Sequence, residues 1–379
     1  MKGAFVYVDA GKGHYVPAVA LSDAMKAMGD EAIVEDLFVI FKSPIVRWGS
    51  KNYWRYLLHH PKLEKKINRL NDNRNAHDLL LWLKNDPRGY NNFKKWYYKE
   101  KPDFIVSTNF MGATLLPALI EKMGVKCPVY DYVADLFDQV KCGIDGKITK
   151  VYVPTEIGVE HTIEMGQPES TVELSPFPLS RKFETMEKVD KSEARRRLGL
   201  KDKFTVLYNL GGEGIGSPEL LYSLKKRGID AQVVVIGGKS KTTEAEFSLF
   251  RKLHPDFDLE MRGFVDDVPL YIMACDMQMG KAGANSLMES LYLKRPFLVS
   301  EVLYMARSTP LFFRDHYCGW CEDDNEKKAD IIERYYRDKD ERKRIEEGME
   351  TLPIEFSASK LVEMIKKDTI EYRKENGIQ

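Results

Sequence analysis

Three clusters in this sequence have the residue types and spacing to do chemistry. The first is Gly11-Lys12-Gly13-His14, which directly follows an apolar run over residues 3–8. Backbone N–H groups of a glycine turn that opens a helix form an anion site suited to phosphate. A neutral imidazole at that turn would make a sensible general base toward a hydroxyl nucleophile. The second cluster, Gly211-Gly212-Glu213-Gly214-Ile215-Gly216, follows the apolar run 204–210 in the same way. The third is Lys281-Ala282-Gly283-Ala284-Asn285-Ser286-Leu287-Met288-Glu289, after the strand-like Met277–Met279. Here a glycine turn again precedes a helix, and a carboxylate about two turns in could accept hydrogen bonds from ribose hydroxyls, with the turn's amides near phosphate.

Other motifs fail on spacing. The dinucleotide fingerprint G-x-G-x-x-G breaks at Val16 and at Ser217, where its third glycine belongs. Gly238-Lys239-Ser240 ends like a Walker loop, but Val233 holds the first glycine position. NAD and P-loop chemistry are both disfavoured, whereas two glycine turns at matching places favour a nucleotide–phosphate cleft. Asp256-Phe257-Asp258 and Asp338-Lys339-Asp340 sit in charged, surface-like contexts, so no metal site is expected. Cys318-Gly319-Trp320-Cys321 lacks the second pair a zinc site needs; a redox role is open, a loop coincidence simpler.

The elements that must position these residues are strand–glycine turn–helix units. Helical patterns run from about Val16 to Met28 and from Pro218 to Lys226. Short buried-strand candidates follow each: Ala32–Glu35, Phe104–Ser107 and Val129–Tyr132, then Gln232–Ile236, Leu259–Met261, Met277–Met279 and Phe297–Val299. This alternation indicates an α/β chain of two Rossmann-like lobes with parallel sheets. The 379 residues suit two domains, joined between Arg181 and Lys203, where Ser192-Glu193 reads as a helix start and Gly199 as a stop. Expected spans are a first lobe over 1–185, a second over 200–355, and a C-terminal helix over 356–379 packing back on the first. Five cysteines are too few and too odd in number for a disulfide scaffold and suit a reducing, cytoplasmic compartment. A strand-like start and the lack of a long apolar run predict neither signal peptide nor transmembrane helix.

Net charge is zero, but Lys42–Lys101 carries 15 Lys/Arg against 5 Asp/Glu, together with four of the five tryptophans (Trp48, Trp54, Trp82, Trp96). Aromatics among cations suit single-stranded nucleic acid, or buried aromatics beneath a solvated basic face. Trp and Tyr with Lys and Arg are equally the signature of a bilayer interface, where each cation gains about 1 kcal/mol from anionic lipid.

In order, GKGH (11–14), NLGGEGIG (209–216) and RGFVDDVPLYIMACDMQMGKAGANSLMESLYLKRPFLV (262–299) resemble the GT-B glycosyltransferases of family 28. The nearest branch is that of the monogalactosyldiacylglycerol synthases and bacterial diacylglycerol glucosyltransferases. PDFIVSTNFMGATLLPAL (102–119), VYDYVADLF (129–137) and VYVPTEIGVEHTIEMG (151–166) follow the same course. The resemblance implies two Rossmann-like lobes facing a central cleft, and a hexose moved with inversion from a UDP-sugar to a lipid acceptor such as diacylglycerol. It implies that His14 is the base, with Gly13 and Asp135 on the acceptor side. It implies that Phe264 and Val265 meet the uracil, that Gly212, Gly214, Ala282 and Gly283 bring amides to the diphosphate, and that Glu289 holds the ribose. Helix termini and amides would stabilise the leaving diphosphate, so neither a cofactor nor an obligatory metal is expected. The partners implied are a UDP-sugar and an anionic membrane surface met by residues 42–101, with peripheral membrane attachment and no nucleic acid. Where the family has G-Q-E followed by Asn, this chain reads SEVLYMARSTPLFF (300–313), with Glu301 and Arg307 as substitute polar groups, so the sugar stays open. Two other readings remain: a GT-B enzyme with a soluble substrate, such as an epimerase, and a nucleotide-sugar binder without turnover.

Overall fold

In the computed structural model, residues 1–379 are described except Ala10, Ile215, Lys239, Ala282 and Gln379, and the side chains of Asn71, Arg74 and Leu79. The chain divides after Glu184 into two units, and the first also takes Tyr304–Ala306 and Pro353–Gln379.

The first unit is built on β1 (Lys2–Tyr7), β2 (Glu31–Asp36), β3 (Phe104–Ser107), β4 (Val129–Tyr132), β5 (Lys150–Val153) and β6 (Val172–Leu174). All pair in parallel, in the order β2-β1-β3-β4-β5-β6. Helix α1 (Lys12–Ala27) crosses from β1 to β2. Five α-helices and a short 3₁₀ turn (Leu83–Asn85) separate β2 from β3: α2 (Leu37–Ile40), α3 (Pro44–Leu58), α4 (Pro61–Asn71), α5 (Arg74–Trp82) and α6 (Pro87–Glu100). Helix α7 (Phe110–Met123) leads from β3 to β4.

Alternation along β1 sends Phe5 to one face and Ala4 and Val6 to the other, so the sheet is covered on both sides. Phe5 packs with Leu21, Met25, Phe104 and Tyr130; Val6 packs with Phe38, Phe93, Ile105 and Leu116. Leu361, Val362 and Ile365 of the C-terminal helix Ala358–Glu375 lie fully buried in the Phe5 cluster. Each such side chain contributes roughly 1.5–3 kcal/mol, which makes this helix part of the first core. Lys150 and the Tyr152 hydroxyl also bond its Asp368, at 2.9 and 2.5 Å.

The second unit holds β7 (Phe204–Asn209), β8 (Ala231–Ile236), β9 (Asp258–Gly263), β10 (Met277–Lys281), β11 (Phe297–Glu301) and β12 (Gly319–Cys321). They form a second parallel sheet in the order β12-β11-β10-β7-β8-β9. In each sheet one pair of neighbours marks where the winding reverses: β1 and β3 in the first, β7 and β10 in the second. Loops leaving such a pair run apart and open a crevice at the carboxyl ends of the strands.

Several details differ from the sequence reading. Helix α1 starts at Lys12 instead of Val16, because Gly11 adopts φ 103° and turns the chain straight into the helix. The linker helix Lys191–Leu198 is capped by Asp190, whose carboxylate accepts the Glu193 N–H at 2.8 Å, while the Ser192 hydroxyl bonds Asp202. Strands β5, β6 and β12 were not anticipated; two are three residues long, too short for a period to register. Cys318 precedes edge strand β12 and Cys321 ends it, so three residues of extended chain, about 10 Å, separate them, too far for a disulfide. Both are free thiols, and burial pushes both up in pKa, that of Cys321 to about 12.

One carboxyl lies inside this framework. Asp131, on β4, is buried; Gln139 donates to its Oδ2 at 3.2 Å, and Oδ1 has no hydrogen-bond partner among the described residues. Burial raises its pKa to about 7, Gln139 opposes this, and the charge of Asp135 adds to it. The folded carboxyl therefore keeps a proton that the unfolded chain loses near pH 3.8. Stability is complete below that pH and lost as pH rises toward 7. Asp131→Asn, an isostere of the neutral acid, should gain about 4 kcal/mol over wild type at pH 8 and little at pH 4. Urea titrations at the two pH values measure this.

Candidate functional site

In the first unit, the β1/β3 crevice holds the expected base. His14 lies in the first turn of α1, half-buried, with Nδ1 2.6 Å from the carbonyl oxygen of Thr108, just past β3. A carbonyl only accepts, so Nδ1 carries the proton and Nε2 keeps its lone pair. The Thr108 hydroxyl returns a bond to the His14 carbonyl at 2.8 Å, so backbone and ring are held by one residue of the facing loop. The sequence reading missed Thr108; its place next after β3, beside β1, was the available signal.

Gly13 is exposed one residue before His14. The loop before it is tied by charge: the Asp9 N–H bonds Asp36 at 2.9 Å, and Arg47 and Lys51 of α3 reach the Asp9 carboxylate at 3.1 and 3.2 Å. Asp36 is buried and also caps α2 through the N–H groups of Phe38 and Val39. Asp135 follows β4, one strand further along the sheet than Thr108, and its charge acts on Asp131 and Tyr132. The next residue, Leu136, is held at φ 67°, a left-handed conformation costing a branched side chain about 1 kcal/mol.

In the second unit, three turns meet at the carboxyl edge of adjacent strands. Gly211–Gly214 follows β7, Gly237–Gly238 follows β8, and Gly263–Val265 leaves β9. The Gly238 N–H bonds the Gly211 carbonyl at 2.7 Å, and the Gly237 N–H bonds the Gly263 carbonyl at 2.8 Å. A Cβ on Gly238 would strike the Gly212 carbonyl, so the apparent Walker tail is a glycine that lets two turns stack. Gly214 takes φ 65°. Phe264 is 71% exposed at this edge, an unusual place for a large apolar ring, with Val265 half-buried beside it.

Across the switch point, β10 leads through Gly283 into the helix Ala284–Tyr292. Asn209, at the end of β7, accepts from the Gly211 N–H at 2.9 Å and reaches the Ser286 hydroxyl at 3.5 Å. Glu289 lies on this helix, half-buried, and desolvation raises its carboxyl pKa to about 8. Lys281 and Glu301, at the ends of β10 and β11, pair at 3.1 Å. Of the residues expected to meet the donor, Gly212, Gly214, Phe264, Val265, Gly283 and Glu289 belong to one sheet edge; Ala282 lies outside the described residues. Among the described residues, no group of three or more His, Cys, Asp or Glu is placed to hold a metal ion.

Residues 218–363 match the family described as glycosyltransferase family 28 C-terminal domain, a span containing Phe264, Gly283 and Glu289. The chain carries a family 28 glycosyltransferase domain. The processive diacylglycerol beta-glucosyltransferase of Bacillus pumilus is similar over nearly the whole length, 24% identical over 368 residues, or 94% of this chain and 92% of the relative. That of Bacillus licheniformis is 26% identical over 277 residues, 72% of this chain and 70% of its own. Among solved structures, Anabaena Alr3699/HepE in complex with UDP matches with a TM-score of 0.60 at 12% identity, covering 98% of this chain and 100% of that one. The fold of this glycosyltransferase is GT-B, as its motifs imply.

The basic segment is only partly the surface its composition suggests. Trp48 and Trp82 are 71% and 65% exposed, with Ile45, Leu70 and Tyr56 exposed nearby. Trp96 instead packs on Phe93 in the core, and Trp54 turns inward against Gly11. Among the described residues, no helix is long and apolar enough to cross a membrane.

Proposed function

We propose that this glycosyltransferase moves a hexose from a UDP-sugar to the hydroxyl of a lipid such as diacylglycerol at a membrane surface. The observation that carries the reading is that the family 28 match includes the turns after β8 and β9, the exposed Phe264 ring and Glu289, which share a sheet edge with the glycine turn after β7. On this reading Phe264 and Val265 border the uracil, and Glu289 accepts from the ribose hydroxyls. The N–H groups of the glycine turns and of the helix after Gly283 take the diphosphate. Glu301 of the Lys281–Glu301 pair stands where the departure from the family's G-Q-E segment begins, so this pair is a candidate polar contact to the sugar.

In the first unit, His14 Nε2 takes the proton as the acceptor oxygen attacks C1 of the hexose. The C1–O bond to the diphosphate breaks on the opposite side, so the anomeric configuration inverts and UDP leaves. Negative charge grows on the diphosphate oxygens, where fixed amides stabilise it most in the transition state. Acceptor access follows from the excess of ten positive charges over Lys42–Lys101 and the exposed side chains of α3 to α5, which suit an anionic bilayer. The two Bacillus relatives named for diacylglycerol support the lipid class.

Two measurements test this. In a thermal-shift panel of UDP, GDP, ADP, CDP and NAD, UDP alone should stabilise the protein, by about 2.7 kcal/mol at 100 times its Kd. A shift with another nucleotide overturns the donor. The protein should co-sediment with phosphatidylglycerol vesicles at low salt and be released near 0.5 M NaCl, where the Debye length falls below about 5 Å. Turnover of a UDP-sugar without vesicle binding would instead mean a soluble acceptor.

A further inference from the structure

Helix α3 has two faces with different neighbours. Arg47, Lys51 and Trp54, spaced i, i+4 and i+7, lie on one side. Ile45, Trp48 and Tyr56 lie on the other, 82%, 71% and 55% exposed. The inner face meets the loop that leads into His14. The Arg47 Nη2 donates to Asp9 at 3.1 Å, its Nε lies 3.5 Å from Asp36, and Lys51 reaches Asp9 at 3.2 Å. The indole nitrogen of Trp54 lies 3.8 Å from where a Cβ on Gly11 would stand. Gly11 is the residue whose left-handed backbone starts α1, so the inner face of α3 touches the bend that aims His14.

The rest of α3 is thinly held: among its described residues only Leu57 is buried. Arg47 Nε is shielded from solvent and lies 3.5 Å from Asp36, making no hydrogen bond among the described residues. A helix with so little burial adjusts its position easily when something binds its outer face.

We propose that α3 couples membrane docking to the His14 loop, and that Asp9 and Arg47 are positioning residues through which an anionic bilayer on the outer face fixes the loop. The occupant is set by charge: with Arg47 and Lys51 paired on the inner face, the outer side carries Arg55 beside exposed Trp48 and Ile45, and α4 adds the exposed Lys62, Lys66 and Arg69. The proposal rests on the lipid-acceptor reading of this surface. It adds a claim that reading does not contain, namely that docking changes the order of the loop.

The test is hydrogen exchange of the full chain with and without vesicles of equal phosphatidylglycerol and phosphatidylcholine, following the peptide over residues 9–16. Saturating vesicles should slow its exchange roughly 5- to 10-fold, because the loop opens less often. Asp9→Asn should bind vesicles like wild type and lose the slowing. Arg47→Lys, which keeps the charge but not the fork spanning two carboxylates, should lose most of it and gives a second readout if Asp9→Asn does not fold. In turnover with vesicle-borne acceptor, both should lower kcat about 10-fold and leave KM for the UDP-sugar within about 2-fold, since the donor side is untouched. Trp48→Ala should weaken vesicle binding and leave exchange in solution as in wild type. Vesicle-bound wild type with unchanged exchange over 9–16, or Asp9→Asn slowed as wild type is, overturns the coupling. Exchange does not depend on catalysis: turnover without slowing sinks the coupling alone, and slowing without turnover of any UDP-sugar sinks the transferase reading alone.

Discussion

Replacing His14 by Ala lowers kcat for glycosyl transfer by about 10²–10⁴, the range a positioned general base contributes, and leaves UDP binding intact. The expectation follows from geometry. The Thr108 carbonyl can only accept, so it fixes the proton on Nδ1 at 2.6 Å and leaves Nε2 as the lone pair. No rotation of the ring exchanges these roles without breaking that bond. UDP binding should survive because the residues proposed to hold the donor lie in the second unit, whereas His14 lies in the first. His14→Gln separates the functions further: its amide can keep a bond to the Thr108 carbonyl but offers no basic nitrogen, so the loop stays ordered while turnover is lost. Steady-state rates with a UDP-hexose and vesicle-borne diacylglycerol, beside the UDP thermal shift, make the comparison. A His14→Ala enzyme within 10-fold of wild type removes this residue as the base.

Residues that announce themselves by local pattern were legible in the sequence. Gly11-Lys12-Gly13-His14 and the 209–216 run show strand, turn and helix within a dozen residues, and both fall at switch points. Glu289 was legible because its distance from a glycine turn fixes its helix turn. What the sequence does not carry is which strands become neighbours. Thr108 orients His14 only because β3 lies beside β1, about 100 residues away along the chain. The Asp9–Asp36–Arg47 network joins a loop, a strand end and a helix, with no spacing that marks it. Composition left open whether the four tryptophans of Lys42–Lys101 face out or in, and Trp54 and Trp96 take the inward option. Helical phase turns Trp54 inward with Arg47, and Trp96 fills the core on Phe93. Asp131 did leave a signal, a carboxylate inside the strand run Val129–Tyr132, whose burial on both sheet faces makes such a residue expensive.

Glu289→Gln should move stability and donor binding in opposite directions. Burial holds this carboxyl at about 8, above its ordinary 4.5, so between those values the folded protein keeps a proton that the unfolded chain has lost. The stability of the neutral form is therefore complete below pH 4.5 and lost as pH rises through 8. Gln mimics the neutral acid and does not titrate, so the variant should exceed wild type by about 4 kcal/mol at pH 9 and match it at pH 4. UDP binding goes the other way. A carboxylate can accept from both ribose hydroxyls, whereas the amide offers one acceptor and presents N–H groups to the second. Losing one charged hydrogen bond, at about 1.5–3 kcal/mol, weakens UDP by roughly 10- to 100-fold. Because the hydroxyls favour the ionised form, UDP binding to wild type near pH 7 should release a proton, and the variant should release none. Calorimetry in two buffers of different ionisation enthalpy measures the release, and melting at the two pH values measures the stability. A variant that binds UDP as tightly as wild type, with the same proton release, would show that the ribose is held elsewhere. If Glu289 holds the ribose, the cost of its buried charge in the free enzyme is offset on binding by the hydrogen bonds the two hydroxyls donate.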